Sequence, residues 1–327
     1  MANSRWRRAT NLAPEDNEAV ITAAGCLRRD VGFTSHGLRC AGWLYEPANR
    51  ARDEQRLPAI VMAHGYGGVK EQYLDNFARA FAGAGFVVLA FDFRFLGSSE
   101  GEPRQQIFWY EQIRDYRNAI TWLAMQPGVD AARIGVWGTS YSGGHVLQLA
   151  AFDRRVKAVV AQVPAMCTWD SYFTALPAVQ VEQLATSHAQ ARAQLMATGK
   201  VLYAAVVAPP GQSAVMPQPE ALEWVTRAAA IAPTWENRVT VESLEAGMYY
   251  DPARFIHLVA PTPLLMVIAS DDIVTPTAEQ RKAFERAREP KSLVVVQCRH
   301  FDPYEGPRHR DFLDPELAWF RRHLVQS

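Results

Sequence analysis

The stretch that decides the fold is Arg133-Ile134-Gly135-Val136-Trp137-Gly138-Thr139-Ser140-Tyr141-Ser142-Gly143-Gly144. An apolar run over 133–139 ends in Gly138-x-Ser140-x-Ser142 and passes at once into 141–152, which carries a helical pattern. A strand that turns into a helix this abruptly holds the serine in a strained backbone. It leaves space only for small residues two positions before and two after. Gly138 meets that demand, and Ser142 stands where glycine is usual but is still small. Ser140 then sits at a helix N-terminus, where unpaired N–H groups and the helix dipole favour developing negative charge. A phosphate-binding turn is the competing reading, but no GxxxxGKS/T or GxGxxG follows the first buried strand.

Outward from this turn, 31–35 and 39–45 predict two short strands joined at His36-Gly37. The runs 58–64, 85–93 and 157–163 predict strands buried on both faces, and 74–83 and 107–125 predict amphipathic helices. Strands and helices alternating in this way imply a mainly parallel central sheet flanked by helices. The alternation stops at about Met166 and resumes with a strand over 264–269, a helix over 278–288, a strand over 292–297 and a closing helix over 315–324. Between lie helix formers, prolines and aromatics, among them Trp169, Tyr172, Trp224, Trp235, Tyr249 and Tyr250. The expected organisation is an N-terminal arm (1–30), an α/β core (31–165 and 255–327) and a helical cap (166–254) inserted before the strand that leads to the acid.

Composition excludes several functions. Lys plus Arg is 34 and Asp plus Glu is 34 in 327 residues, so the basic excess of a phosphate-neutralising nucleic-acid binder is missing. No apolar run approaches a membrane span, and Glu15, Asp16 and Glu18 interrupt the place where a secretory signal needs its apolar core. Cys26, Cys40, Cys167 and Cys298 show no CxxC spacing and are too sparse for a disulfide framework. They read as free thiols in a reducing cytoplasm. Zero net charge permits a homo-oligomer. No HExxH or paired-histidine spacing is present, so neither metal nor cofactor is expected.

A serine nucleophile needs a base, and the base needs an acid to orient it. With an elbow of this kind the chain order is Ser, acid, His. The strand over 264–269 leads into Ser270-Asp271-Asp272-Ile273-Val274-Thr275-Pro276, where Asp272 is the expected acid and Asp271 the alternative. The last strand leads to Cys298-Arg299-His300-Phe301, which makes His300 the expected base. The loop His64-Gly65-Tyr66-Gly67-Gly68 follows the first buried strand. The N–H groups of Tyr66 and Tyr141 are the expected oxyanion donors. His64 reads as fixing that loop rather than moving a proton, and Asp92 with Arg94 as an ion pair. Trp169, Tyr172, Tyr249 and Tyr250 are candidate substrate-pocket residues.

These residues resemble the α/β-hydrolase superfamily, and within it the dienelactone-hydrolase-like branch that includes fungal polyketide acyltransferases and related bacterial hydrolases. The resemblance is carried by Phe33–Leu38, Gly42-Trp43-Leu44, His64–Gly68, Phe91–Arg94, Gly97-x-Ser99-x-Gly101-Glu102-Pro103-Arg104 and Gly138–Gly144. It continues through Pro261–Leu265, Asp272 with Pro276, and Cys298–Phe301, where Cys298-Arg299 replaces glycines frequent in the family. It implies the α/β-hydrolase fold and a serine hydrolase cleaving a small-molecule carboxylic ester or thioester through an acyl-enzyme. One alternative is an acyltransferase passing a polyketide-like acyl group to an alcohol or amine. The other is a non-catalytic ligand-binding protein on the same fold.

Overall fold

A computed structural model describes residues 20–21, 25–48, 56–170 and 176–325. Its centre is a nine-stranded sheet. The strands are β1 (Val20–Ile21), β2 (Cys26–Ser35), β3 (Leu38–Pro47), β4 (Leu57–Ala63), β5 (Val87–Phe91), β6 (Val129–Thr139), β7 (Val156–Gln162), β10 (Leu264–Ala269) and β11 (Lys291–Val296). They lie in the order β1-β2-β3-β5-β4-β6-β7-β10-β11. Pairings from β5 through β11 are parallel, and β1, β2 and β3 join antiparallel at one edge. The expected turn at His36-Gly37 closes the β2–β3 hairpin with both residues at positive φ, 50° and 85°, as the right-handed strand twist requires.

β5 is buried along its whole length and β4 at every position but the first, because helices cover both faces of the sheet. These helices are α1 (Leu74–Gly83), α2 (Trp109–Ala124), α3 (Tyr141–Phe152), α7 (Thr277–Arg286) and α8 (His309–Leu324). In α1 the buried residues Leu74, Phe77, Ala78, Phe81 and Ala82 recur at helical spacing on one face.

Two elements begin five or more residues before their expected starts. β2 begins at Cys26, five residues inside the segment read as an arm, because Cys26 and Val31 bury against the core. α8 begins at His309 and carries Pro315 inside it. Burial of Phe312 and Leu313 outweighs the hydrogen bond that the proline forgoes.

Between β7 and β10 the chain leaves the sheet. It forms α4 (Ala178–Thr198), α5 (Pro219–Ala229) and α6 (Val241–Met248), with a short antiparallel pair, β8 (Tyr203–Ala204) and β9 (Val239–Thr240). Trp235 Nε1 donates to the Gly67 carbonyl (2.9 Å), and the Ile107 N–H donates to Ser243 Oγ (2.7 Å). Gly67 follows β4 and Ile107 follows β5, so both contacts hold the insertion over the C-terminal ends of these strands, where open α/β sheets place their sites. Among the described residues no helix is long and apolar enough to cross a membrane.

Candidate active site

Ser140 stands between β6 and α3 with φ 56° and ψ −117°, a backbone state that costs a non-glycine residue about 1–3 kcal/mol. Its surroundings explain the neighbouring residues. A Cβ on Gly138 would stand 2.2 Å from the Ser142 carbonyl oxygen, so that position admits only glycine. Gly138→Ala is expected to lower stability by about 3 kcal/mol, read as a fall in the denaturant midpoint.

Ser142 does more than fit. The Thr139 N–H donates to its Oγ (2.9 Å), and the hydroxyl donates to the Ala63 carbonyl (2.7 Å), tying the end of β6 to the end of β4. Ser142→Ala removes that partner from two buried main-chain groups. It is expected to cost about 1–3 kcal/mol in chemical denaturation.

His300 brings the other expected residues together. Its Nδ1 lies 2.8 Å from Asp272 Oδ2, and its Nε2 lies 3.2 Å from Ser140 Oγ. Asp272 is fixed by its own loop. Its Oδ1 accepts the N–H groups of Val274 (2.9 Å) and Thr275 (2.7 Å), and its Oδ2 lies within reach of Thr275 Oγ1 (2.8 Å) and Gln280 Nε2 (3.3 Å). Asp271 is exposed and takes only the Ser270 hydroxyl as a side-chain partner (2.9 Å), so of the two aspartates it is Asp272 that meets His300. The Asp272 backbone cage of Val274 and Thr275 is an Asx turn, readable in retrospect from Asp-x-x-Thr.

On the other side of Ser140 lies the loop after β4. A Cβ on Gly65 would come within 3.0 Å of Ser140 Cβ, which measures how closely this backbone approaches the serine. The Gly65 carbonyl is held by the Gly68 N–H (3.2 Å) and by His64 Nδ1 (2.9 Å). A trans peptide points its C=O and N–H in opposite directions, so these two bonds also fix the Tyr66 N–H that shares the same peptide. The Tyr141 N–H belongs to the first turn of α3 and has no acceptor within that helix. The two tyrosine rings pack edge-to-face at 5.1 Å. Burial keeps the His64 imidazole below its ordinary pKa, against the opposing pull of Asp92.

Asp92 and Arg94 do not pair with each other. Asp92 faces the Tyr66 loop, accepting from the Lys70 N–H (2.7 Å) and pairing with Lys70 Nζ (2.7 Å). Arg94 turns to Asp115 on α2 (2.6 Å). Each group found a nearer partner on a different element, which spacing along the chain does not reveal. Burial pulls the Lys70 ammonium down, but Asp92 and Glu71 outweigh it and leave its pKa raised.

The cleft beside Ser140, its mouth included, encloses about 500 Å³. Trp224, Trp235, Val206, Met216, Phe301 and Tyr304 supply much of its apolar wall. The pocket expected from the ends of the insertion is not where the wall forms. Tyr249 is 73% exposed and Trp169 is 40% exposed. Tyr172 lies outside the described residues. Tyr250 is buried beneath α3 with its hydroxyl donating to the Tyr141 carbonyl (2.9 Å) and lying 2.8 Å from His145 Nδ1. The middle of the insertion covers the site because α5 presents Ala221, Trp224, Val225 and Ala228 on one buried face. That periodicity was the available signal for Trp224. Among the described residues no group of three His, Cys, Asp or Glu could hold a metal.

His145 is buried in this layer and its pKa is pushed down to about 3, chiefly by burial. The unfolded chain takes up this proton near the ordinary value of 6.5 while the folded one refuses it. Stability is therefore complete above pH 6.5 and falls as the pH drops toward 3. The urea midpoint is expected to decline between pH 7 and 5, and His145→Gln to flatten that decline.

A mainly parallel sheet with a serine at a strained strand-to-helix turn, met by a histidine from the loop after the last strand, defines an α/β hydrolase. This chain belongs to the X-Pro dipeptidyl-peptidase (S15) family, whose profile matches residues 37–302. It is similar to the polyketide transferase grgF of a Penicillium species, at 29% identity over 93% of this chain and 100% of the relative. The crystal structure of the α/β hydrolase GrgF from Penicillium sp. sh18 superposes with a TM-score of 0.79 and 28% identity, covering 91% of this chain and 99% of that one. The thiohydrolase aneE of Aspergillus aculeatus is 32% identical over 82% of this chain and 84% of the relative. The quorum-quenching protein AidA of Acinetobacter baumannii is 31% identical over 76% and 80%. The chain is thus an enzyme of the α/β-hydrolase class.

Proposed function

We propose that the protein cleaves a carboxylic ester or thioester through an acyl-enzyme on Ser140. The observation that carries this reading is the single imidazole of His300, in contact with Asp272 on one nitrogen and Ser140 on the other. His300 takes the Ser140 proton as Oγ attacks the carbonyl carbon, and Asp272 keeps the imidazole in the required tautomer and stabilises the imidazolium. The N–H groups of Tyr66 and Tyr141 hold the tetrahedral oxyanion. His300 gives its proton to the leaving alcohol or thiol, then activates the water that releases the acid.

The insertion acts as a cap whose aromatic wall receives the acyl group. Among the described residues no Asp, Glu, Lys or Arg lines the cleft, which suits an uncharged acyl chain better than a peptide with a free ammonium end. The free thiols of Cys40, Cys167 and Cys298 support a cytoplasmic protein.

The test is intact-mass labelling with a fluorophosphonate. One adduct on the wild type, absent from Ser140→Ala, is the expected result, and a folded wild type without an adduct overturns the reading. Acyl transfer is the second reading, favoured by the apolar wall, which limits water near the acyl-enzyme. Acylated acceptor formed at the expense of free acid, when an alcohol or amine is added, distinguishes transfer from hydrolysis.

A further inference from the structure

α5 carries three residues, Glu220, Trp224 and Arg227, spaced so that they fall on one helix face. All three meet the loop that bears His300. Glu220 Oε2 lies 3.7 Å from Arg299 Nε, and Arg227 Nε lies 3.1 Å from Glu305 Oε1. Between them Trp224 stacks on Phe301, with ring centroids 4.9 Å apart and planes 20° from parallel, and packs on Tyr304 at 5.0 Å.

The two partners of Trp224 lead to different reacting groups. Phe301 follows His300 in the chain and packs edge-on against its imidazole at 4.8 Å. Tyr304 hydrogen-bonds through its hydroxyl to Thr139 Oγ1 (2.6 Å), and Thr139 is the residue immediately before Ser140. Gln162 Nε2, from the end of β7, holds the same Thr139 oxygen (3.0 Å). One indole on the insertion therefore touches both the loop of the base and the side chain that braces the end of the nucleophile strand.

We propose that Trp224 is a positioning residue for the reaction: by packing on Phe301 and Tyr304 together, α5 holds His300 and Ser140 in mutual reach, so the insertion sets the geometry of the triad as well as walling the acyl site. Within Trp224 the hold is exerted by the ring faces and not by the indole N–H, because Nε1 is buried and has no hydrogen-bond partner among the described residues. Phenylalanine at this position keeps an aromatic face for Phe301 and Tyr304, whereas alanine releases both.

This inference rests on Ser140 being the acylated residue, and the experiment separates the two. The rate of Ser140 phosphonylation by diisopropyl fluorophosphate, which has no acyl chain to bind, is measured for wild type, W224A and W224F. It is read beside kcat and KM for acetyl and octanoyl thioesters. W224A is expected to be labelled about 100-fold more slowly, the scale of a misplacement of roughly 1 Å between reacting groups. Its kcat for the acetyl thioester falls alongside while KM changes little, and W224F recovers labelling to within about threefold of wild type.

Labelling of W224A at the wild-type rate, with only the octanoyl KM raised, overturns the proposal and leaves Trp224 as a wall. W224F as slow as W224A also overturns it, since the indole N–H would then matter. Should W224A not fold, the exposed contact at the end of the same face takes its place. R227E is expected to slow labelling about threefold and R227E with E305R to restore it, the scale of a surface ion pair. An unchanged rate in R227E overturns the proposal. No adduct on folded wild type overturns the Ser140 reading itself.

Discussion

Ser140→Ala is expected to lower turnover by about 10⁴- to 10⁶-fold while the thermal midpoint stays close to wild type. The two halves of this expectation have separate grounds. The Ser140 hydroxyl has one side-chain partner, His300 Nε2 at 3.2 Å, so its loss removes the proposed nucleophile without stripping a structural bond from the elbow. The strained backbone at φ 56° is as costly for alanine as for serine, and the clasp of Thr139, Ser142 and Ala63 survives intact. Ester turnover and circular-dichroism melting of the purified variant check both halves together. A variant that retains near-wild-type kcat removes the acyl-enzyme mechanism.

Asp272→Asn is expected to cost about 10⁴-fold in kcat, and the structure says why the amide cannot substitute by rotating. Two backbone N–H groups, from Val274 and Thr275, both point at Oδ1. An asparagine satisfies them only with its carbonyl oxygen at that place, which turns its NH₂ toward His300 Nδ1. The imidazole then carries its proton on Nε2 and has no lone pair for the Ser140 hydroxyl. Because the loop keeps its backbone bonds, the variant should fold normally. Asp271→Asn, at an exposed residue away from His300, serves as the control and is expected to stay within about twofold of wild type. An Asp271 variant as impaired as the Asp272 one would reverse the assignment of the acid.

The sheet was legible wherever burial on both faces forces a continuous apolar run, as in β4, β5, β7 and β10. The elbow was legible because sterics leave so few residues for it. The order of Ser140, Asp272 and His300 followed from strand order alone, which is why residues 132 and 28 positions apart in the chain could be matched without coordinates. What stayed hidden depends on which surface a folded segment turns inward. Tyr250 reads as an aromatic ending a cap, yet its hydroxyl lies beneath α3, in space that Gly144 leaves open: a Cβ there would stand 2.3 Å from it. Asp92 and Arg94 are two residues apart and oppositely charged, yet each is claimed by a different element. Trp224 lay in plain view on a helical stripe, but no property of its own stretch says that Phe301 and Tyr304 wait opposite.

The way the insertion is fastened bears on recombination between relatives. Its two ends are joined to each other, since the Thr168 N–H donates to the Tyr250 carbonyl (3.1 Å). A cassette exchanged between those points would therefore leave the recipient's entry and exit already closed. Several of its moorings ask nothing of the recipient's side chains: Trp235 seeks the carbonyl at 67, the Thr240 N–H the carbonyl at 105, and Ser243 the N–H at 107. The stack under α5 is different in kind, because it reads the identities of residues 301 and 304. A foreign cassette should dock on the main chain of nearly any family member, and should work only when the aromatic pair of its original host travels with it.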